Sequence, residues 1–109
     1  MELGLVVREQ DGWAVMSVSG EIDMATAPAM GECLKDLQDM GYRDIRIDLA
    51  QVAFMDSQGL NVLARVCKRA EQVGGTIVAV NPQPQVRKVI EVIGLDRLLP
   101  IRKDSFSAA

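Results

Sequence analysis

The chain has 109 residues, of which 49% are apolar and 25% are charged, a composition typical of one globular domain. The net charge of −3 and the scattered basic residues argue against direct nucleic-acid binding, which depends on clustered lysine and arginine. The absence of histidine excludes Ser-His-Asp and Cys-His catalytic units, and no apolar stretch is long enough to predict membrane insertion.

The two cysteines indicate a reducing environment. Cys33 and Cys67 lie far apart, each within an apolar run, and their spacing is not that of metal ligands. We expect both to be buried free thiols and, since no signal peptide is predicted, we expect a cytoplasmic protein.

The first part of the chain predicts an antiparallel hairpin and then a helix. Two β-type runs, residues 3–9 and 13–18, are joined through Asp11-Gly12, a dipeptide typical of tight hairpin turns. Apolar residues then recur with helical spacing, with Thr26 as the expected N-cap, Pro28 in the first turn and Gly41 as the stop. The residues on the apolar face of this helix are Met30, Cys33, Leu34 and Leu37.

The rest of the chain alternates strands and helices. Residues 45–49 alternate with period two and predict a strand, whereas residues 50–56 are expected to be a connector. In that connector we expect Phe54 to anchor into the core, with an exposed partner contact by Val52, Phe54 and Met55 as the alternative. The second helix follows; its apolar face is extended by Val66 and Val73, and Gly74-Gly75 ends it. Its polar face consists of Asn61, Arg65, Lys68 and Gln72.

Three further segments complete the predicted fold. Residues 76–80 form a continuous apolar run, typical of a central strand covered on both faces. A third helix buries one face and ends at Gly94, residues 98–101 predict a short edge strand, and residues 105–109 a frayed tail. The buried face of the third helix is Val86, Val89, Ile90 and Ile93. We therefore predict one α/β domain over residues 1–109, with its core at about 3–102 and a mixed sheet of four to five strands.

Ser57 is the residue on which the functional prediction depends. It follows a parallel strand and begins a helix, where unpaired backbone amides and the helix dipole favour an anion. Gly59 has no Cβ and permits close approach of a backbone or an anion. A phosphate on Ser57 is therefore compatible with the fold, although simple helix capping by Asp56 or Ser57 explains the same spacing.

Two motifs resemble the STAS domain family, and specifically its stand-alone anti-sigma factor antagonists. These are Gly20-Glu21-Ile22-Asp23 after a strand and Phe54-Met55-Asp56-Ser57-Gln58-Gly59-Leu60 before a helix. The resemblance implies that Ser57 is phosphorylated by a partner that is both an anti-sigma factor and a serine kinase. It also implies that the unphosphorylated form binds this partner and frees the sigma factor, that a phosphatase resets Ser57, and that Asp23 lies near the serine.

The sequence departs from the family pattern at two positions beside the serine. The family often has Ser or Thr where this chain has Gln58, and Gly where it has Asn61. Both changes affect the choice of kinase more than the presence of the acceptor. The residues predicted to bind the partner are Asp23, Asp56, Gln58, Gly59, Asn61 and Arg65.

Several roles and functions stay open at this point. Asp56 can cap the helix or orient the serine, Asp23 can be an ordinary turn residue, and the polar face of the second helix can simply be solvated. A STAS scaffold or subunit of a signalling or lipid-transport assembly is the alternative function. An enzyme using Asp23 and Asp56 as an acid–base pair is disfavoured, and no cofactor or metal is expected because no nucleotide or metal motif is present.

Overall fold

The computed structural model describes residues 2–103, which form a five-stranded mixed sheet and three α-helices. In chain order the elements are β1 (Gly4–Gln10), β2 (Trp13–Ile22), α1 (Ala27–Asp39), β3 (Asp44–Met55), α2 (Ser57–Gln72), β4 (Thr76–Val80), α3 (Pro84–Val92), a 3-10 turn (Leu95–Arg97) and β5 (Ile101–Arg102). The strands lie in the sheet in chain order; β1 is antiparallel to β2 and all later neighbours are parallel. The predicted α/β fold is confirmed, whereas the predicted tail at residues 105–109 lies outside the described residues.

The turns follow the local sequence signals. Asp11 and Gly12 both have positive φ, 54° and 84°, as a tight hairpin turn between twisted strands requires. Gly41, which follows the C-cap residue Met40 of α1, has a φ of 98°, and its amide donates to the carbonyl of Gln38. Thr26 occupies the predicted N-cap position of α1, but its hydroxyl makes no capping hydrogen bond. It donates instead to the carbonyl of Glu21 over 2.7 Å.

The central strands are longer than the sequence predicted. β2 continues through Ile22, and β3 includes the whole segment that was expected to be a connector. The register of β3 on β2 shifts between Ser17 and Ser19 and again between Gly20 and Glu21, and each time β3 holds one extra residue. These bulges break the period-two pattern, so the inward side chains of β3 are Ile45, Ile47, Leu49, Val52 and Met55.

The bulges also explain why the prediction that Phe54 anchors into the core was wrong. Val52 and Met55 are buried, as interior residues of a strand, but Phe54 is 48% exposed and does not anchor into the core. Because side chains alternate along a strand, Phe54 points away from its buried neighbour Met55.

All three helices pack on one face of the sheet and share a single core with Met16 and Ile47. Helix α1 contributes Met30 and Leu34 to it, but Cys33 is half-buried rather than buried as predicted. Two residues that the sequence placed on buried helical faces, Val73 and Ile93, are 50% and 58% exposed because they lie just beyond the ends of α2 and α3. The predicted strand at residues 98–101 is shorter and later, since it begins at Ile101. Within residues 2–103, no helix is both long and apolar enough to cross a membrane.

Candidate functional site at the ends of β2 and β3

The candidate site lies where two paired parallel strands end together. Ile22 of β2 is in register with Met55 of β3, so the next residues, Asp23 and Asp56, begin their connections at the same edge of the sheet. The amide of Asp56 donates to the carbonyl of Ile22 over 3.0 Å, and this hydrogen bond holds the ends of β2 and β3 together. Ser57 then opens α2 at this edge and is exposed.

Asp56 is the N-cap of α2. Its backbone is extended, with φ −101° and ψ −173°, and its carboxylate accepts from the amides of Gln58 over 2.9 Å and Gly59 over 3.3 Å. Of the two roles that the sequence left open for Asp56, the geometry is that of the cap. The amides of Gln58 and Gly59, which were expected from the sequence to be open to an anion, already donate to the Asp56 carboxylate. They are therefore not free to bind a phosphate on Ser57.

Gly59 serves packing inside the domain. It is buried, and a Cβ at this position would lie 2.6 Å from Cγ2 of Ile22 and 2.8 Å from Cγ of Met55. The missing side chain therefore lets the first turn of α2 sit directly on the ends of both strands. Ile22 and Met55 already occupy the side on which a Cβ would project, and the contact of Gly59 with a partner stays a prediction.

Asp23 organises the turn between β2 and α1. One carboxylate oxygen accepts from the amide of Ala25 over 2.9 Å and from the amide of Thr26 over 3.1 Å. The Thr26 hydroxyl, which is 3.2 Å from the same oxygen, in turn accepts from the Asp23 amide. These hydrogen bonds, that from the backbone of Thr26 foremost, lower the pKa of Asp23 below its usual value. Asp23 is therefore a structural turn residue at the edge where Ser57 also lies.

An exposed stripe continues from Ser57 along α2. Asn61 and Arg65 follow at intervals of four residues and are both exposed, so with Ser57 they form one face about 12 Å long. Gln58 is also exposed beside Ser57. The structure thus brings Ser57, Gln58, Asn61 and Arg65 to the surface of the same helix.

Arg65 also borders a groove between α1 and α2 that the sequence did not predict. The groove has a volume of about 220 Å³; its lining residues are Pro28, Gly31, Glu32, Lys35, Val62, Arg65, Val66 and Arg69. The two helices can approach closely there because Gly31 has no side chain; a Cβ at this position would lie 3.0 Å from a methyl of Val62. The sequence did contain a signal for this groove, the glycine in the middle of the first helix. Glycine weakens a helix, so its presence there indicates that another segment packs closely against it.

Among the described residues, no group of three or more His, Cys, Asp or Glu side chains is arranged to hold a metal ion. Neither thiol is near ionisation at neutral pH, because burial raises the pKa of Cys33 and raises that of Cys67 to about 12.

Comparison with known proteins agrees with the fold and with the motifs. The profile of the STAS domain matches residues 5–108. The anti-sigma-B factor antagonist of Bacillus subtilis (strain 168) is 30% identical over 105 residues, which cover 96% of this chain and 95% of that protein. The anti-sigma-B factor antagonist of Staphylococcus aureus (strain NCTC 8325 / PS 47) is 28% identical over 103 residues, which cover 94% and 95%. The crystal structure of an anti-sigma factor antagonist from Mycobacterium paratuberculosis has a TM-score of 0.86 and 34% identity, and the match covers 97% of this chain and 90% of that one. Because the profile spans nearly the whole sequence and the fold agrees with it, this chain belongs to the STAS domain family.

Proposed function

We propose that this chain is an anti-sigma factor antagonist whose binding is switched off by phosphorylation of Ser57. In its unphosphorylated form it binds a kinase-type anti-sigma factor and thereby releases the sigma factor. The observation that carries the proposal is the exposed position of Ser57 at the first residue of α2, next to the capping carboxylate of Asp56. Membership of the STAS family and the names of the related proteins support the same role.

The phosphate acts on the partner rather than on the fold. It adds about −1.5 to −2 charges at neutral pH, and the helix dipole offsets part of this charge within the domain. Asp56 already accepts from the amides of Gln58 and Gly59, so the new charge is not neutralised by these donors. The negative charge therefore faces the docked protein, where it acts through repulsion and desolvation. A penalty of roughly 3 kcal/mol is sufficient, since it weakens binding more than about a hundredfold.

The proposed docking surface extends from Ser57 along α2. It comprises Gln58, Asn61 and Arg65, with Asp23 and Asp56 holding the chain around the serine. The groove next to Arg65 offers an apolar floor at Val62 and Val66 to a side chain of the anti-sigma factor. Gln58 and Asn61 flank the acceptor hydroxyl, and we propose that they determine which kinase recognises it.

The proposal implies two further components and a location. The anti-sigma factor carries the serine kinase activity, and a separate phosphatase restores the Ser57 hydroxyl. Both partners and this chain act together in the cytoplasm, and the chain affects transcription without touching nucleic acid.

The test combines a candidate anti-sigma kinase, ATP and the purified chain. We expect the intact mass to rise by one phosphoryl group in the wild type and in the control Ser19→Ala, whose serine is also exposed, but not in Ser57→Ala. In a binding assay Ser57→Ala should bind with or without ATP, whereas Ser57→Asp should bind at least about a hundredfold more weakly with an unchanged circular dichroism spectrum.

Two outcomes would count against this function. A modification that persists in Ser57→Ala would place the switch at another residue. Stable capture of transporter or scaffold subunits, with no binding to any kinase-type anti-sigma factor, would favour the alternative role in a signalling or lipid-transport assembly.

A further inference from the structure

The hydroxyl of Thr26 ties the end of β2 to the turn that follows it. It donates to the carbonyl of Glu21 over 2.7 Å and accepts from the amide of Asp23 over 2.9 Å. These two groups belong to the peptide units on either side of Ile22, so one side chain fixes the backbone of that residue from both directions. Thr26 is only 7% exposed, so loss of these hydrogen bonds would leave buried polar groups unpaired.

Helix α1 lacks a side-chain cap because of this arrangement. Thr26 is the N-cap residue of α1, and a threonine hydroxyl at that position usually accepts from an amide of the first helical turn. Here the hydroxyl makes no such hydrogen bond and is engaged with the end of β2 instead. A residue that leaves the local preference of its position unmet is typical of functional sites.

Ile22 supports the start of α2. Its carbonyl accepts from the amide of Asp56 over 3.0 Å, and its Cγ2 lies 2.6 Å from the point where a Cβ on Gly59 would stand. Ile22 is fully buried, so it cannot shift without moving the residues that pack on it. Ser57 lies between Asp56 and Gly59 in the sequence, and both of these residues contact Ile22. The Thr26 hydroxyl is therefore linked to Ser57 through a single residue.

We propose that Thr26 is a positioning residue for the phosphorylation of Ser57, an inference that rests on the proposed function. In that reaction the Ser57 oxygen bonds to the γ-phosphorus of ATP, the bond from this phosphorus to the β-phosphate oxygen breaks to release ADP, and the hydroxyl proton passes to a base of the kinase. The attacking oxygen has to stand in line with the bond that breaks, and a displacement of about 1 Å can lower the rate about a hundredfold. By fixing Ile22, the Thr26 hydroxyl keeps the Ser57 oxygen where this alignment requires it.

Kinetics with two substitutions of Thr26 test the proposal. Thr26→Val replaces the hydroxyl by a methyl group, whereas Thr26→Ser keeps the hydroxyl. With a candidate anti-sigma kinase and ATP, Thr26→Val should lower kcat for phosphorylation of Ser57 at least about tenfold, while KM for the chain stays within about threefold because docking uses the exposed face of α2. Thr26→Ser should restore kcat to within about threefold of the wild type.

Two controls separate positioning from a general loss of stability. Ile90→Val and Ile90→Ala remove atoms from a fully buried side chain of α3 and lower Tm to different extents, so they bracket the Tm of Thr26→Val. Both controls should keep kcat within about twofold of the wild type at a temperature where every variant is folded.

Hydrogen exchange tests the link within the chain without a kinase. In Thr26→Val the amide of Asp56, which the Ile22 carbonyl holds, should exchange faster than in the wild type or in Thr26→Ser. The amide of Ala79 donates to the carbonyl of Pro100 over 2.9 Å on the β5 side of the sheet and reports the general loss of stability. The acceleration at Asp56 should exceed that at Ala79 by at least about fivefold.

The outcomes distinguish this role from plain stabilisation and from failure of the switch. The positioning role would be overturned by an unchanged kcat in Thr26→Val, by an equal loss in Thr26→Ser or in an Ile90 variant of the same Tm, or by equal acceleration of the two amides. In each of these cases the wild type is still phosphorylated at Ser57, so the proposed function stands. A wild type that no kinase-type anti-sigma factor phosphorylates at Ser57 would overturn the proposed function and this role together.

Discussion

Replacing Gly59 with alanine tests whether the site depends on close packing of α2 against the strand ends. The new Cβ would lie 2.6 Å from Cγ2 of Ile22 and 2.8 Å from Cγ of Met55, about 1 Å closer than carbon atoms pack at their optimum. Both atoms lie close to the backbone of residues that are 0% and 3% exposed, so neither can move aside easily.

The magnitude follows from two opposing effects. Overpacking of this kind costs about 1–3 kcal/mol, whereas glycine to alanine within a helix gains up to about 1 kcal/mol. We expect Gly59→Ala to lower the free energy of unfolding by about 1–2 kcal/mol and Tm by roughly 5–15 °C. Urea and thermal unfolding followed by circular dichroism measure both quantities. The matched control is Gly31→Ala, whose Cβ would meet the two methyls of Val62 at 3.0 Å and 3.8 Å and whose stability should change by less than about 1 kcal/mol.

A double-mutant cycle identifies the contact itself. Ile22→Ala removes Cγ2 and alone should cost about 2–5 kcal/mol, since the side chain is fully buried. Combined with Gly59→Ala, the loss should be smaller than the sum of the two single losses by about 1 kcal/mol or more. A higher Tm for Gly59→Ala, or strict additivity with Ile22→Ala, would refute the role of close packing at Gly59.

Three other predictions concern the cap, the thiols and the alkaline limit. Asp56→Ala should lower the free energy of unfolding, measured by urea titration, by about 0.5–2 kcal/mol. Asp56→Asn keeps an accepting oxygen and should therefore retain most of the stability that Asp56→Ala loses. Equal losses in the two variants would contradict capping. In timed alkylation with iodoacetamide at neutral pH, followed by mass spectrometry, Cys67 should react more slowly than Cys33, because burial raises its pKa to about 12 and leaves the thiol almost wholly protonated; faster reaction of Cys67 would overturn this order. The hydrogen bond from the Tyr42 hydroxyl to the Glu9 carboxylate, 2.6 Å long, raises the pKa of the phenol in the folded state above its usual value of about 10. The stabilisation from this hydrogen bond is therefore complete below that pH and is lost as the pH rises through the folded pKa. Tyr42→Phe should show a shallower alkaline decline of the free energy of unfolding in urea titrations, and an unchanged slope would contradict the assignment.

The sequence predicted the order of elements because each depends on local signals. The hairpin needed only Asp11-Gly12, and the end of α1 needed only a glycine with positive φ at Gly41. The second half of β3 was missed because its bulges interrupt the alternation by which strands are recognised, and the outward orientation of Phe54 was missed with it. Bulges arise from pairing with β2, which no short window of sequence contains.

The candidate site was predictable in location but not in the role of every residue. The helix start at Ser57 and the strand end before it both have local signals. The burial of Gly59 and the hydrogen-bonding of the Thr26 hydroxyl to Glu21 instead depend on how two distant segments meet at one edge. Spacing along a chain carries no information about such contacts.

The extra length of β3 has a consequence for self-association. Its pairing with β4 stops at Asp48, so the remaining residues up to Met55 have a second side that no strand within residues 2–103 occupies. The side-chain amides of Gln83 and Gln85 donate to the carbonyls of Ala50 and Ala53 over 2.9 Å and 3.1 Å on that side. Unprotected edges are templates on which another copy can add a strand and begin a fibril. These two glutamines therefore occupy two of the carbonyls with which an added strand would pair, on the long, bulged strand that leads to Ser57.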